Sequence, residues 1–243
     1  MQYWEGDKGL ALSVSRFIAD LQQERGREFG FMFSRRFDAS PVDRDTLSHV
    51  GKKFDIYTHQ CRARDTGWPA GCNAMASDMF VLARERWERG EWKHVSGIWL
   101  LEADTVPLRR SWLSSISVDW AKAREDRKLV MGAWTPGPGP IGHVNGNLMF
   151  HPSLAAKVKG LEGAHPHVGW DVYHAAKLQP WWRPTDRMAN FYGATRVKEE
   201  DLYGPGKRYC FVHGVKDHSA MRLAREKIFG ASAPSSENRR IIS

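Results

Sequence analysis

Cysteine is scarce in this 243-residue chain: Cys61, Cys72 and Cys210 are all there is. An odd count without metal-binding spacing argues against a disulfide framework or a cysteine metal cluster, and points to a reducing, cytoplasmic setting. Long apolar runs are missing too. No stretch approaches the roughly 18 residues of a membrane span, and the first residues hold no signal-peptide-like apolar segment, so no membrane association is expected. Acids are outnumbered, 28 against 36 lysines and arginines, leaving a net charge of +8. That balance fits a polyanionic partner such as nucleic acid, although the basic residues are spread along the chain. Tryptophan is in surplus: eleven suit an aromatic-lined sugar or base site, and equally a core. The length allows one large domain or two small ones.

The most informative stretch is Ile98-Trp99-Leu100-Leu101-Glu102-Ala103-Asp104, closed by Val106-Pro107-Leu108. Four apolar residues run into two carboxylates one residue apart. The proline stop and the lack of a helical period favour a strand buried on both faces, as in a parallel sheet. Glu102 and Asp104 then sit at its carboxyl end, where open α/β sheets bind ligands, and alternation points both the same way. Two like charges there repel, and a divalent cation carrying a phosphorylated ligand would resolve the cost. The alternative is that the two acids cap a following helix that starts near Arg109.

Elsewhere the chain alternates helix and strand. Leu10, Leu12, Val14, Phe17, Ile18 and Leu21 follow a helical period ended near Gly26, with Asp7 as its N-cap or as part of a ligand-touching turn. Phe29 to Phe33 reads as a strand, with Arg35 and Arg36 beyond it meeting phosphate or solvent. A helix from Asp43 to Val50 and a strand from Phe54 to His59 come next. The glycine-bounded loop Gly67 to Asn73 precedes a long helix, with Asn73 as a cap or a ligand contact. A helix near Ser111 to Arg124 and a strand from Leu129 to Trp134 lead to a proline- and glycine-rich loop, Thr135 to Gly142. His143-Val144-Asn145-Gly146-Asn147 abuts the apolar Leu148 to Phe150, which sets polar side chains at a pocket edge. Asp171 lies among Trp170, Val172 and Tyr173, as a helix cap or as a group with a purpose. Pro180 to Tyr192 interleaves aromatic and basic residues, a pattern that suits stacking on bases or sugars. A strand from Tyr209 ends in His213-Gly214-Val215-Lys216, an imidazole for a cation and an ammonium for phosphate. A last helix spans Ala220 to Phe229.

With these motifs in this order, the chain resembles a metal-dependent glycosyltransferase of the GT-A fold. More narrowly it resembles the compact phage enzymes that glycosylate 5-hydroxymethylpyrimidines in DNA, including those associated with TET-type dioxygenases. The resemblance runs over most of residues 3 to 218 and rests on Tyr-Trp-Glu-Gly-Asp, Gly-Trp-Pro-Ala-Gly-Cys-Asn, Leu-Glu-Ala-Asp, His-Val-Asn-Gly-Asn, Trp-Asp-Val-Tyr and His-Gly-Val-Lys-Asp. One departure is Glu-Ala-Asp where many relatives carry Asp-X-Asp. It leaves open which acid binds the cation directly.

The resemblance implies an α/β GT-A fold, a Rossmann-like and mostly parallel sheet flanked by helices, with a smaller acceptor-side portion. It implies one domain over 1–230 and a flexible tail over 231–243. Glu102, Asp104 and His213 would hold Mn²⁺ or Mg²⁺ against a nucleotide-sugar, a UDP-sugar first among them. Tyr3, Gly6, Asp7, Arg35, Trp68, Asn73 and Lys216 would bind the donor. Asn145, Gly146, Trp170, Arg183 and Arg187 would face the acceptor, 5-hydroxymethylcytosine in DNA, with Lys207 and Arg208 extending the DNA surface. Asp171 would be the general base if transfer inverts the anomeric centre, and would stabilise an oxocarbenium-like state if it retains configuration. The competing readings are the same reaction on a cell-surface glycan or small molecule, a non-catalytic nucleic-acid-binding module, and a nucleotidyltransferase. The module leaves the acids and His213 unexplained, and a nucleotidyltransferase would bring a glycine-rich phosphate loop that Tyr3 to Asp7 is not.

Overall fold

The structure, a computed structural model, describes residues 1–23, 28–137, 142–163, 165–191 and 196–230. The expected tail over 231–243, the helix stop at Gly26, part of the Thr135 to Gly142 loop and Tyr192 lie outside the described residues.

Strands β1 (Gln2–Tyr3), β2 (Gly30–Arg35) and β3 (Asp55–Gln60) run parallel, with β2 in the middle. Beside them, β4 (Ile98–Trp99) and β6 (Val130–Thr135) flank the antiparallel β7 (His143–Phe150), and β8 (Trp182–Pro184) adds to β6 in parallel. The two ladders join where β4 runs out. The Gln2 N–H donates to the Leu101 carbonyl at 2.7 Å, and the Leu100 N–H to the Leu148 carbonyl at 2.9 Å. The sheet order is therefore β3-β2-β1-β4-β7-β6-β8, mostly parallel with β7 reversed. A smaller sheet sets β10 (Phe211–His213) between the antiparallel β5 (Val106–Pro107) and the parallel β9 (Met188–Asn190).

Alternation along the strands sorts the apolar residues into two cores. Phe31, Phe33, Leu101, Met131 and Ala133 pack with α1 (Lys8–Leu21), α2 (Arg44–Gly51), α4 (Trp112–Glu125) and α9 (Ser219–Phe229). Their sequence neighbours Met32, Leu100 and Val130, with Leu148 and Phe150 of β7, turn to the other face, against α3 (Ala70–Glu88), α5 (Leu154–Lys157), α6 (Trp170–Tyr173) and α7 (Ala175–Leu178). A fully buried side chain such as Leu148 contributes about 1.5–3 kcal/mol by leaving water. A short helix, α8 (Glu199–Tyr203), precedes the last strand. No helix among the described residues is long and apolar enough to cross a membrane, and all three cysteines are free.

Several local expectations change. Ile98 to Leu101 is not a strand between parallel neighbours: β4 is two residues long, half-buried and antiparallel to β7. Pro107 does not end the run but sits inside β5, where its missing N–H costs nothing at an edge strand. The two acids do not cap a helix, because β5 intervenes before α4 begins at Trp112. Asp7 stands at the N-cap of α1 without a side-chain cap bond; its carboxylate instead accepts from the Trp4 N–H at 2.9 Å. His143 to Phe150 is one continuous strand, so Asn145, Gly146 and Asn147 belong to the sheet and not to a preceding turn.

Candidate active site

At the carboxyl end of β4 the chain turns back on itself, the Thr105 N–H donating to the Glu102 carbonyl at 3.0 Å. This turn, rather than strand alternation, gathers Glu102 and Asp104 on one side. β10 then delivers His213, and one ligand atom from each of the three lies within 4.8 Å of the others. His213 Nε2 stands 3.0 Å from Glu102 Oε2 and 3.2 Å from Asp104 Oδ1. Asp104 is buried and Glu102 half-exposed. Burial disfavours the imidazolium, but the Glu102 and Asp104 charges and hydrogen bonds outweigh it and push His213 up to about 10. Burial likewise works against the Asp104 charge, and the His213 and Lys216 cations still hold its carboxyl below the usual range.

Both Asp104 carboxylate oxygens are buried and lack a well-aligned hydrogen bond, although His213 Nε2 stands 3.2 Å from Oδ1. Buried carboxylates ordinarily collect N–H or O–H donors. Two carboxylates and one imidazole fit a divalent cation, and the nitrogen favours Mn²⁺ over the strictly oxygen-seeking Mg²⁺. Asn147 frames the turn, its Oδ1 accepting from the Glu102 N–H at 2.9 Å and from the Thr105 hydroxyl. Asn145 Oδ1 in turn accepts from the Asn147 N–H at 3.0 Å. Gly146 lets Glu102 approach: a Cβ there would stand 2.6 Å from Glu102 Oε1. Asn147 is a residue that sequence reasoning passed over, and the Asn-Gly-Asn alternation on a strand was its only signal.

The residues expected at the donor divide into two groups. Asp7 and Lys216 act on the triad. Burial together with the Asp104 and Glu102 charges lifts the Asp7 carboxyl to about 6, against the Trp4 hydrogen bond and Lys216. Lys216 is exposed beside them. Trp4 folds over Gly6, where a Cβ would meet its indole at 2.1 Å, and the Arg36 guanidinium sits 5.2 Å from the Trp4 ring centre. Trp68 is 72% exposed on the loop before α3. Three residues have other tasks. Tyr3 is buried, with its hydroxyl donating to the Ser40 carbonyl at 3.2 Å. Arg35 donates to the Ala39 carbonyl at 2.5 Å and to Gln60 Oε1 at 2.9 Å. Asn73 is fully buried and donates to the His165 and Val168 carbonyls, at 2.8 and 2.9 Å, while accepting from the Trp170 N–H at 2.7 Å. A side chain so engaged clamps α3 to α6 and does not line a donor site.

On the acceptor side the structure brings Asp171 to His143 and not to the arginines. Asp171 Oδ1 accepts from the Val172 N–H at 3.0 Å, and Oδ2 lies 3.6 Å from His143 Nε2. Burial raises the Asp171 carboxyl, the Glu102 charge adds to this, and the His143 charge opposes it. Trp170 is a core residue, edge-on to Phe80 at 5.5 Å. Asn145 faces a small internal cavity with Thr105, Asn190 and His213. Arg183 pairs with Asp126 at the C-cap of α4 and with the Lys122 carbonyl, and Arg187 with Asp119 of α4 at 3.3 Å, so both are engaged by protein groups. Arg208 pairs with Asp186 at 3.7 Å. His143 carried no expectation as a site residue; nothing in a linear reading pairs it with an acid 28 positions on.

No protein-family model matches this chain, and no curated protein matches its sequence. Among solved structures, S. aureus TarS is similar over 97% of this chain and 40% of its own, with a TM-score of 0.50 and 10% identity. TarS 1-349 is similar over 98% of this chain and 68% of its own, at 0.51 and 9%. The apo structure of the bifunctional glycosyltransferase WbbM is similar over 87% and 44%, at 0.51 and 9%. This chain thus spans less than half of the longer TarS chain and of WbbM. At such identities the likeness speaks for the fold, and it agrees with the sheet order and the helices on both faces: the chain has a glycosyltransferase fold of the GT-A type.

Proposed function

We propose that this chain, acting as one domain over 1–230, transfers a sugar from a nucleotide-sugar, a UDP-sugar first among them, to a hydroxyl acceptor. The observation that carries this reading is the convergence of Glu102 and His213 on a buried Asp104 carboxylate whose oxygens lack a well-aligned hydrogen bond. These three residues would hold Mn²⁺ or Mg²⁺, which when bound neutralises charge on the departing diphosphate. Lys216 meets the same diphosphate from solvent. Trp4, 42% exposed beside Arg36, is the aromatic side chain that would meet the nucleoside. Asp171 takes the proton of the acceptor hydroxyl as its oxygen bonds to the anomeric carbon. The bond to the diphosphate breaks, its electron pair leaving on the phosphate oxygen. A half-buried carboxylate shifted upward fits the role of base, which goes with an inverting transfer.

For the acceptor we propose a 5-hydroxymethylpyrimidine in DNA, 5-hydroxymethylcytosine first, on the net charge of +8. The experiment is mass spectrometry of nucleosides from hydroxymethylated DNA incubated with enzyme, Mn²⁺ and a panel of nucleotide-sugars. A hexose or pentose adduct supports the reading, and its anomeric configuration by NMR reports inversion or retention. One observation favours a second reading, a glycan or small-molecule acceptor: Arg183, Arg187 and Arg208 are spent on protein carboxylates. Donor turnover without DNA modification across the panel would favour it.

A further inference from the structure

We propose that His143 is a positioning residue for Asp171, holding that carboxylate in its ionised, correctly turned form for proton removal. The inference rests on Asp171 being the base and extends it to a residue so far without a role.

Two independent pieces of architecture bring the pair together. His143 opens β7, paired in register with Thr135 at the end of β6. Because β7 is antiparallel to β4 and β6, its first residue lies at the same end of the sheet as Glu102. Asp171 is placed from the other direction. The Asn73 clamp fixes the backbone of Val168 and Trp170, so the carboxylate one residue later starts from a backbone held by a buried side chain. The Asp171 side chain is 19% exposed and that of His143 10%. In such an enclosure an ion contact is screened far less than at the surface.

The two Asp171 oxygens have different neighbours. Oδ1 accepts from the Val172 N–H at 3.0 Å, which fixes the side-chain torsion. Oδ2 faces His143 Nε2 at 3.6 Å, an ion contact when the imidazole is protonated. The charges acting on Asp171 are His143 from β7 and Glu102 from the turn after β4, and they pull in opposite senses. Burial and Glu102 favour the protonated acid, useless as a base. His143 is the group among these that favours the carboxylate. Removing it leaves the acid with burial and a like charge, opposed only by backbone hydrogen bonds such as that from the Val172 N–H. Arrangements in which a base is oriented by another group recur wherever a proton must be removed on cue.

Carboxyl NMR titration tests the pair without any reliance on turnover. The Asp171 resonance is identified by its loss in Asp171→Asn. In His143→Gln, where the carboxylate remains and its imidazole partner does not, that resonance is expected to titrate at higher pH than in the wild type. An unchanged titration overturns the proposal. The second readout is the pH dependence of kcat/KM: His143→Gln moves the acid limb to higher pH and lowers kcat, with Mn²⁺ and donor affinity unchanged. A wild-type acid limb in a folded His143→Gln also overturns it. Should the protein transfer no sugar at all, the Asp171 reading falls, while the NMR arm still decides whether the two groups are coupled.

Discussion

Around Asp104 two carboxylates converge on one imidazole, whereas around Asp171 one carboxylate faces one imidazole. The first cluster has an excess of negative charge even with His213 protonated, and Asp104 stays ionised because His213 and Lys216 outweigh its burial. The second has no excess, and the Asp171 carboxyl drifts upward because burial and Glu102 outweigh His143. An aspartate beside a histidine therefore yields a fixed anion in one place and a titratable one in the other. A fixed anion suits a cation and diphosphate; a titratable one suits proton removal. Count of partners, more than burial, separates the two roles.

The sharpest way to break this comparison is to make the first cluster resemble the second. Asp104→Asn removes the buried anion while keeping its shape, and is expected to abolish cation binding and measurable transfer with the fold intact by circular dichroism. Mn²⁺ titration calorimetry checks the first loss, and donor turnover the second. Asp171→Asn is expected to lower turnover by about 10²–10⁴-fold, the usual effect of losing a general base, with cation and donor affinity unchanged in the same calorimeter. The wild-type pH profile follows from the sign of the Asp171 shift. The base works only when deprotonated, and a raised pKa protonates it sooner as pH falls. The acid limb of kcat/KM is thus expected above the range of about 3.9 for an ordinary aspartate.

Two smaller changes sharpen the comparison. Gly146→Ala places a methyl where Glu102 Oε1 would be 2.6 Å away, so Glu102 must swing off the triad. Cation affinity is expected to fall about 10–100-fold, the range for a disturbed metal surround, with the Asp171 pH limb changed little. Lys216→Ala leaves the triad whole and removes an exposed ammonium. Donor affinity is expected to fall about tenfold, toward the low end for a charge-assisted contact because solvent screens it, with Mn²⁺ affinity nearly unchanged. Donor titration against each variant measures both.

Much of the frame was legible because it is local. Apolar period marked α1, and short apolar runs bounded by charge or proline marked β2, β6 and β10 within a few residues. Acid-X-acid after Ile98 to Leu101, with His213 and Lys216 after a late strand, picked out residues that the fold draws within 4.8 Å or sets beside the triad. Strand alternation does not point Glu102 and Asp104 together; a turn held by Asn147 does. What stayed illegible is decided through space. Asn73 was a polar residue before a helix, and only the arrival of residues 165 to 170 uses up its amide. Arg183 and Arg187 looked like a basic patch until α4 supplied Asp126 and Asp119. His143 and Asp171 belong to different elements, and no periodicity relates them.

The proposed reaction requires the Glu102–Asp104–His213 cluster to hold a cation for a diphosphate. The direct measurement is calorimetric titration of UDP into the wild type and into Asp104→Asn, each with Mn²⁺ and again with EDTA. Binding is expected only for the wild type with Mn²⁺. Equal UDP binding by both proteins, or by the wild type in EDTA, would contradict it.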